Sequence, residues 1–237
     1  LKALIIRSAN DVAVMLAEAV GGSQPQFVSF MNETARELGM TRTTFVNPHG
    51  LPAPMQVTTA RDLAKLARAV IRDFPQYHAY WSMFDARIGK FRIASHNGLL
   101  STYTGADGMK TGFICDSGYN VVASATRDGR QILAVVLGET TSARRTIRAA
   151  HLLEHGFDIY DWKRMLDQTA DLDTMPMPKA PNGVVSIRSS VISYVCGTGP
   201  PRRAKQQKAV SSKKAAPQPQ TAEQKKQGVS SAGKAVR

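Results

Sequence analysis

The sequence predicts an α+β fold, and three observations carry that prediction. Apolar residues recur at helical spacing through roughly the first 75 positions. Short apolar runs gathered about an Asp-Gly turn come next. One further helical pattern follows them.

Leu1 to Val20 carries Leu4, Ile5, Val12, Met15, Leu16 and Ala19 along one stripe. The polar Ser8-Ala9-Asn10-Asp11 interrupts it, and Gly21-Gly22 stops it. Phe27, Phe30, Met31, Thr34, Ala35 and Leu38 form a second apolar stripe, ended by Gly39. Thr43 to Pro54 reads as loop, with Asn47-Pro48 and His49-Gly50 as turn signals. Thr58 or Thr59 caps a third helix through Ile71, and Phe74-Pro75 ends it. Phe84 to Ala94 suggests two short strands about Gly89-Lys90. Asn120 to Thr126 and Gln131 to Leu137 flank Arg127-Asp128-Gly129-Arg130. Asp-Gly between such runs signals a hairpin, because both turn residues must tolerate positive φ. Thr140 to His155 is the final helix, closed by Gly156. Residues 160–199 are acidic early and Pro-rich later, with one expected strand at Val184 to Val195.

The chain has 237 residues and a formal charge of +13. Residues 200–237 hold ten of the 31 basic residues and one acid, which leaves residues 1–199 at +4. This tail has no Leu, Ile, Met, Phe, Tyr or Trp, so it cannot offset its chain entropy and is expected to be disordered. Its charge suits an anionic polymer or a membrane surface as a partner. The lack of aromatics disfavours stacking on nucleic-acid bases. No run of eighteen apolar residues occurs, so no segment spans a membrane as a helix. Residue 1 is Leu and lies within a helical pattern, so the chain is expected to begin inside a larger product. Two cysteines, Cys115 and Cys196, are too few for a disulfide framework or a cysteine zinc site.

Two short motifs could carry chemistry. Ser8-Ala9-Asn10 puts a hydroxyl and an amide two positions apart within a helix break. Asp107-Gly108-Met109-Lys110-Thr111-Gly112 sets a cation and a hydroxyl beside glycines at the entrance to a strand. Each alone reads as a local turn or a strand end. In this order, with the text GADGMKTGFICDSGYNVVASATRDGRQILAVVLG around the second, they resemble the low-molecular-weight D-alanyl-D-alanine carboxypeptidases. These are serine peptidases of the penicillin-binding group. The resemblance extends over about residues 1–157, through TTARDLAKLARAV, HNGLL and RRTIRAAHLLEHGF.

The resemblance implies the serine β-lactamase or penicillin-binding-protein-like transpeptidase fold, without its N-terminal strands and nucleophile helix. It divides the chain into a partial catalytic domain over residues 1–160, an irregular extension over 161–199 and the basic tail. The domain has a helical lobe to about residue 82, then a sheet and C-terminal helix over about 83–157. The implied reaction removes the terminal D-alanine from peptidoglycan stem peptides ending in D-Ala-D-Ala, through an acyl-enzyme, outside the cytoplasmic membrane. No metal or organic cofactor is implied, and β-lactams would inhibit the complete enzyme. Ser8 would help carry a proton to the leaving amine, and Asn10 would hydrogen-bond the substrate amide. Lys110 would face the anionic intermediate, Thr111 would donate to the substrate carboxylate, and Gly112 would keep the strand edge clear. Arg145 matches the family's carboxylate-binding arginine, with Arg144 as the neighbouring alternative. His96 lies at a site-lining position and reads as a loop histidine.

In the family, a Ser-x-x-Lys supplies nucleophile and base several dozen residues before Ser-x-Asn. Only seven residues precede Ser8. The spacing recurs at Ser211–Lys214 and Ser231–Lys234, both in the low-complexity tail and without an apolar helix to hold them. The nucleophile is therefore expected outside this chain, which would be inactive and, alone, unstable or partly molten. Three alternatives stand beside the carboxypeptidase: a non-catalytic D-Ala-D-Ala-binding relic, a β-lactamase, and a basic nucleic-acid-binding protein. Cys115 is expected as a small half-buried side chain, unpaired with Cys196. His151-Leu152-Leu153-Glu154-His155 fits a zinc pattern, but the favoured place for these histidines is a helix C-terminus, and no metal is expected.

Overall fold

The computed structural model describes residues 1–166, 171–176 and 186–196. Helix α1 (Lys2–Arg7) stops at Ser8, which takes the left-handed conformation with φ 56° and ψ 46°. Ala9 is extended, and α2 (Asn10–Gly21) starts afresh. The polar break in the apolar stripe is thus a true corner. Few side chains other than glycine accept such a φ, which is a mark of a position held by its surroundings.

In α3 (Gln24–Glu37) the Ser23 hydroxyl accepts from the Gln26 amide at 3.3 Å. In α4 (Ala60–Asp73) the Thr59 hydroxyl accepts from the Asp62 amide at 3.2 Å, so Thr59 rather than Thr58 is the cap. Asp62 is itself 3% exposed and accepts from the Arg42 amide at 2.9 Å and the Thr43 hydroxyl at 2.7 Å. Those bonds offset the cost of burying its charge and fasten the loop between α3 and α4 to α4. The loop is ordered from within: the Gln56 Oε1 accepts from the amides of Val46 and Asn47, each at 3.0 Å.

A 3-10 turn over Pro75–Tyr77 leads through α5 (His78–Trp81) to a two-stranded hairpin, β1 (Asp85–Ile88) and β2 (Phe91–Ala94). After α6 (Leu99–Thr102) comes an antiparallel sheet in the order β3-β4-β5: β3 (Ala106–Ile114), β4 (Gly118–Arg127) and β5 (Arg130–Glu139). The β4–β5 turn has Asp128 at φ 49° and Gly129 at φ 71°, with Arg127 opposite Arg130, as the two-residue hairpin requires.

Helix α7 (Ser142–Leu166) covers one face of β4 and β5. Leu99, Val121, Ala123, Ala125, Ala134, Val136, Ala149 and Leu153 form the core between them. The small residues let helix and sheet approach, and burying Leu153 contributes about 2 kcal/mol. The expected stop at Gly156 is corrected, because the helix runs on to Leu166. A Cβ at Gly156 would stand 2.6 Å from Ile132 Cγ2, so this glycine serves a close crossing rather than an end. Next to it, the Arg127 guanidinium lies 4.6 Å from the Tyr103 ring centroid and 4.7 Å from that of Phe157, and bonds Glu154 at 3.0 Å.

Two further expectations change. The strand expected at Val184 to Val195 is helix α8 (Arg188–Val195) over its described residues. Cys115 is exposed rather than half-buried, and it forms a disulfide with Cys196, their Cα atoms 5.6 Å apart. Proximity produces this pair: α8 lies against the end of the sheet, with Val191 buried there. Residues 161–199, expected to be irregular, thus include the end of α7 and the whole of α8. A segment over residues 171–176 carries Asp171 and Asp173, which ion-pair with Arg68 of α4. The expected basic tail lies outside the described residues, as do the spacings Ser211–Lys214 and Ser231–Lys234.

Candidate active site

A cleft of about 790 Å³ brings Ser8, Asn10, Lys110, Thr111 and Gly112 together. The corner between α1 and α2 presents Ser8 and Asn10. Opposite, β3 presents Lys110, Thr111 and Gly112. This strand is an edge of its sheet, with no neighbour on its outer side among the described residues.

Two fixtures hold β3 in place. Asn97, 3% exposed, donates from Nδ2 to the Gly108 carbonyl at 3.2 Å. Asp107 accepts from the hydroxyls of Ser124 and Thr126, each at 2.5 Å, and from Gln131 at 3.2 Å. Lys110 then donates to the Ser8 hydroxyl and, at 2.7 Å, to the Thr111 carbonyl.

The electrostatics are one-sided. Burial, and then the like charge of Arg145, push the Lys110 amine down to about 8. Arg145 is 3% exposed, and burial lowers its pKa as well. Its guanidinium donates to the His96 carbonyl at 2.7 Å and to the Ser142 hydroxyl at 3.1 Å. Among the described residues, neither Lys110 nor Arg145 is ion-paired with an acid. The His96 ring meets Arg7 at 3.2 Å and is held below its ordinary pKa by burial, then by Arg7, Lys110 and Arg145. Together these make a half-buried positive field at a hydroxyl, suited to an anionic group.

The chain belongs to the D-alanyl-D-alanine carboxypeptidase family. The family model of that description matches residues 1–141. The chain is 43% identical to the D-alanyl-D-alanine carboxypeptidase DacC of Escherichia coli over 161 residues, 68% of this chain and 40% of that protein. It is 38% identical to DacA of Haemophilus influenzae, over 70% of this chain and 43% of the relative. It therefore spans less than half the length of these curated relatives. The fold matches penicillin binding protein 5 of Haemophilus influenzae with TM-score 0.64 and 38% identity, covering 66% of this chain and 46% of that one. It also matches ampicillin-bound penicillin-binding protein D2 of Listeria monocytogenes with TM-score 0.62 and 34% identity, over 66% and 65% of the two chains. The α+β fold is that of penicillin-binding DD-peptidases.

Five of the six site residues expected from the sequence line this cleft. Arg145 does not line it but acts on Lys110 from a buried position. Arg144 lies elsewhere, in a surface depression with Glu139 and His151. At Gly112 a Cβ would meet nothing within 4 Å, so the strand edge is open. Sequence reasoning missed Asn97 and Asp107 as supports of β3. Asn97 stands within the HNGLL text and Asp107 opens the Lys-Thr-Gly segment, but neither carried a chemical signal of its own. It also missed Ser186, Ile187 and Arg188, which line the cleft from a remote stretch of chain. The zinc pattern is divided in space: Glu154 bonds Tyr103 and Arg127, while His151 faces the depression with Arg144.

Proposed function

We propose that this cleft is the substrate-binding half of a serine-type D-Ala-D-Ala carboxypeptidase site acting on peptidoglycan stem peptides. The observation that carries the reading is Lys110 beside Ser8 on an open strand edge, with no acid among the described residues paired to it or to the buried Arg145 that acts on it. A D-Ala-D-Ala terminus supplies what that arrangement lacks: a carboxylate for the positive field and a peptide backbone for the edge of β3. Lys110 and Thr111 face the carboxylate, and Asn10 faces the penultimate amide. Arg145 sustains the field from its buried position, through its like charge on Lys110. Ser8 is the proton relay: it receives a hydrogen bond from Lys110 and can pass a proton to a leaving amine.

On this reading the sequence as given binds the peptide without hydrolysing it, because it has no Ser-x-x-Lys on an apolar helix. The setting is extracytoplasmic, in keeping with a disulfide between two exposed cysteines. Calorimetric titration with diacetyl-L-Lys-D-Ala-D-Ala tests the reading, with the L-Ala-L-Ala isomer as control. Binding of the D-isomer only, weakened roughly tenfold or more in Lys110→Ala, is expected. Mass spectrometry after penicillin treatment should find no covalent adduct, and no free D-alanine should appear with the peptide. Equal affinity for both isomers would sink the substrate assignment, and an acylated chain would sink the placement of the nucleophile.

A further inference from the structure

The family model ends at residue 141, yet the cleft has a wall from beyond it: Ser186, Ile187 and Arg188 line the same space as Lys110 and Gly112. Several contacts seat this wall. Val191 lies where a Cβ on Gly118 would come within 2.9 Å of its Cγ1. Ile187 fills the space over Gly138, whose φ is +81° and whose added Cβ would stand 2.4 Å from the Ile187 Cδ1. Arg188 pairs with Asp116 at 2.8 Å. Finally, Cys196 is bonded to Cys115 in the β3–β4 turn, directly after the strand that carries Lys110.

The non-covalent contacts are weak holders. Helix α8 has 8 residues, fewer than the ~12–15 an isolated helix needs in water. Ile187 keeps 47% of its surface exposed. An ion pair such as Arg188–Asp116, whose arginine is exposed and whose carboxylate is half-buried, adds little. Both cysteines are exposed, so a thiolate can reach the bond.

We propose that residues 186–196 are a disulfide-locked wall of the cleft, released by an external dithiol to widen access to Lys110 and to the peptide site. In that step one dithiol sulfur attacks the Cys115–Cys196 bond and forms a mixed disulfide. The second sulfur then displaces the remaining cysteine. Two electrons and two protons pass to Cys115 and Cys196, and the dithiol leaves as a disulfide. That the released cleft admits a peptide rests on the function proposed above; the wall and its lock do not.

The test reads Lys110 directly. The whole chain is acylated with the N-hydroxysuccinimide ester of acetic acid at pH 8.5, where the Lys110 amine is largely uncharged. Peptide masses then give the rate at Lys110 relative to exposed Lys90. Dithiothreitol is expected to raise that ratio several-fold, and Ile187→Gly in the oxidised protein is expected to raise it as well. Peptide mapping of the air-oxidised protein should find Cys115 linked to Cys196. Free thiols there, or one labelling ratio in both redox states, would overturn the proposal. Should reduction also strip amide-exchange protection from β4 and β5, the oxidised Ile187→Gly variant decides, and no change in its ratio is refutation. Failure to bind D-Ala-D-Ala peptides would leave these ratios untouched, so the two readings fail separately.

Discussion

Lys110 sits in a positive field that a bound anion would relieve. Its folded form loses its proton near pH 8, against an ordinary value of 10.5. Between those values the unfolded chain holds more protons than the folded one, so this group makes stability rise with pH across that window. Below about pH 8 both forms are charged and the penalty of burial stands in full. Tyr103, pushed up to about 12 by burial and by Glu154, works the opposite way above its ordinary 10.0. Urea midpoints measured from pH 7 to 10 should therefore rise, and Lys110→Met should flatten the rise. A saturating D-Ala-D-Ala peptide should bring the amine back toward its ordinary range. Gly112 has the reverse profile. Its Cβ position is empty and its φ ordinary, so Gly112→Ala should leave stability within about 0.5 kcal/mol. Peptide affinity should nonetheless fall, because the methyl group occupies the edge along which the peptide lies. Paired titration and denaturation curves would separate the two effects.

At the scale of elements, the joins are where free energy is concentrated. Asp62 ties α4 to the residues after α3, and Asp62→Ala would leave the half-buried Arg42 amide without its acceptor. A loss of about 2–3 kcal/mol in urea unfolding is expected. The disulfide closes a sequence separation of 81, and its reduction should cost about 2–4 kcal/mol, read as a lower thermal midpoint in dithiothreitol. The joins also divide what was legible in the sequence from what was not. Asp128-Gly129 announces its turn because the conformation is local and few residues tolerate it. Ser8 to Asp11 announces a helix break for the same reason, and the Ser-x-Asn and Lys-Thr-Gly motifs mark two sides of the cleft. Gly156 misleads, since a glycine that ends a helix and one that lets a helix touch a sheet look alike in one dimension. Arg188 to Val195 misleads through its Val and Ile content. Its helix is set by Val191 meeting the sheet and by a bond to a cysteine far away in sequence, and local propensity contains neither. The supports Asn97 and Asp107 were illegible because their partners, Gly108 and Ser124, become neighbours only on folding.

Over the whole molecule, apolar surface is shared unevenly. Met15, Val20, Phe30, Ile147 and Leu152 stand exposed, and both β3 and β5 end the sheet without a further strand among the described residues. We expect this exposed apolar surface to bind a hydrophobic dye in the folded protein, and no dye fluorescence under native conditions would contradict that. Distance across the molecule is bridged by α7, which carries Arg145 in its first turns and Gly156 three turns later, roughly 16 Å along the axis. The close crossing at Gly156 makes the helix a balance beam whose fulcrum is the core around Leu153. A methyl group slipped beneath the Gly156 end would lift that arm and dip the other. Arg145 would then be drawn off the His96 carbonyl, and the charge at Lys110 would be retuned by a substitution that touches neither the cleft nor anything bound in it.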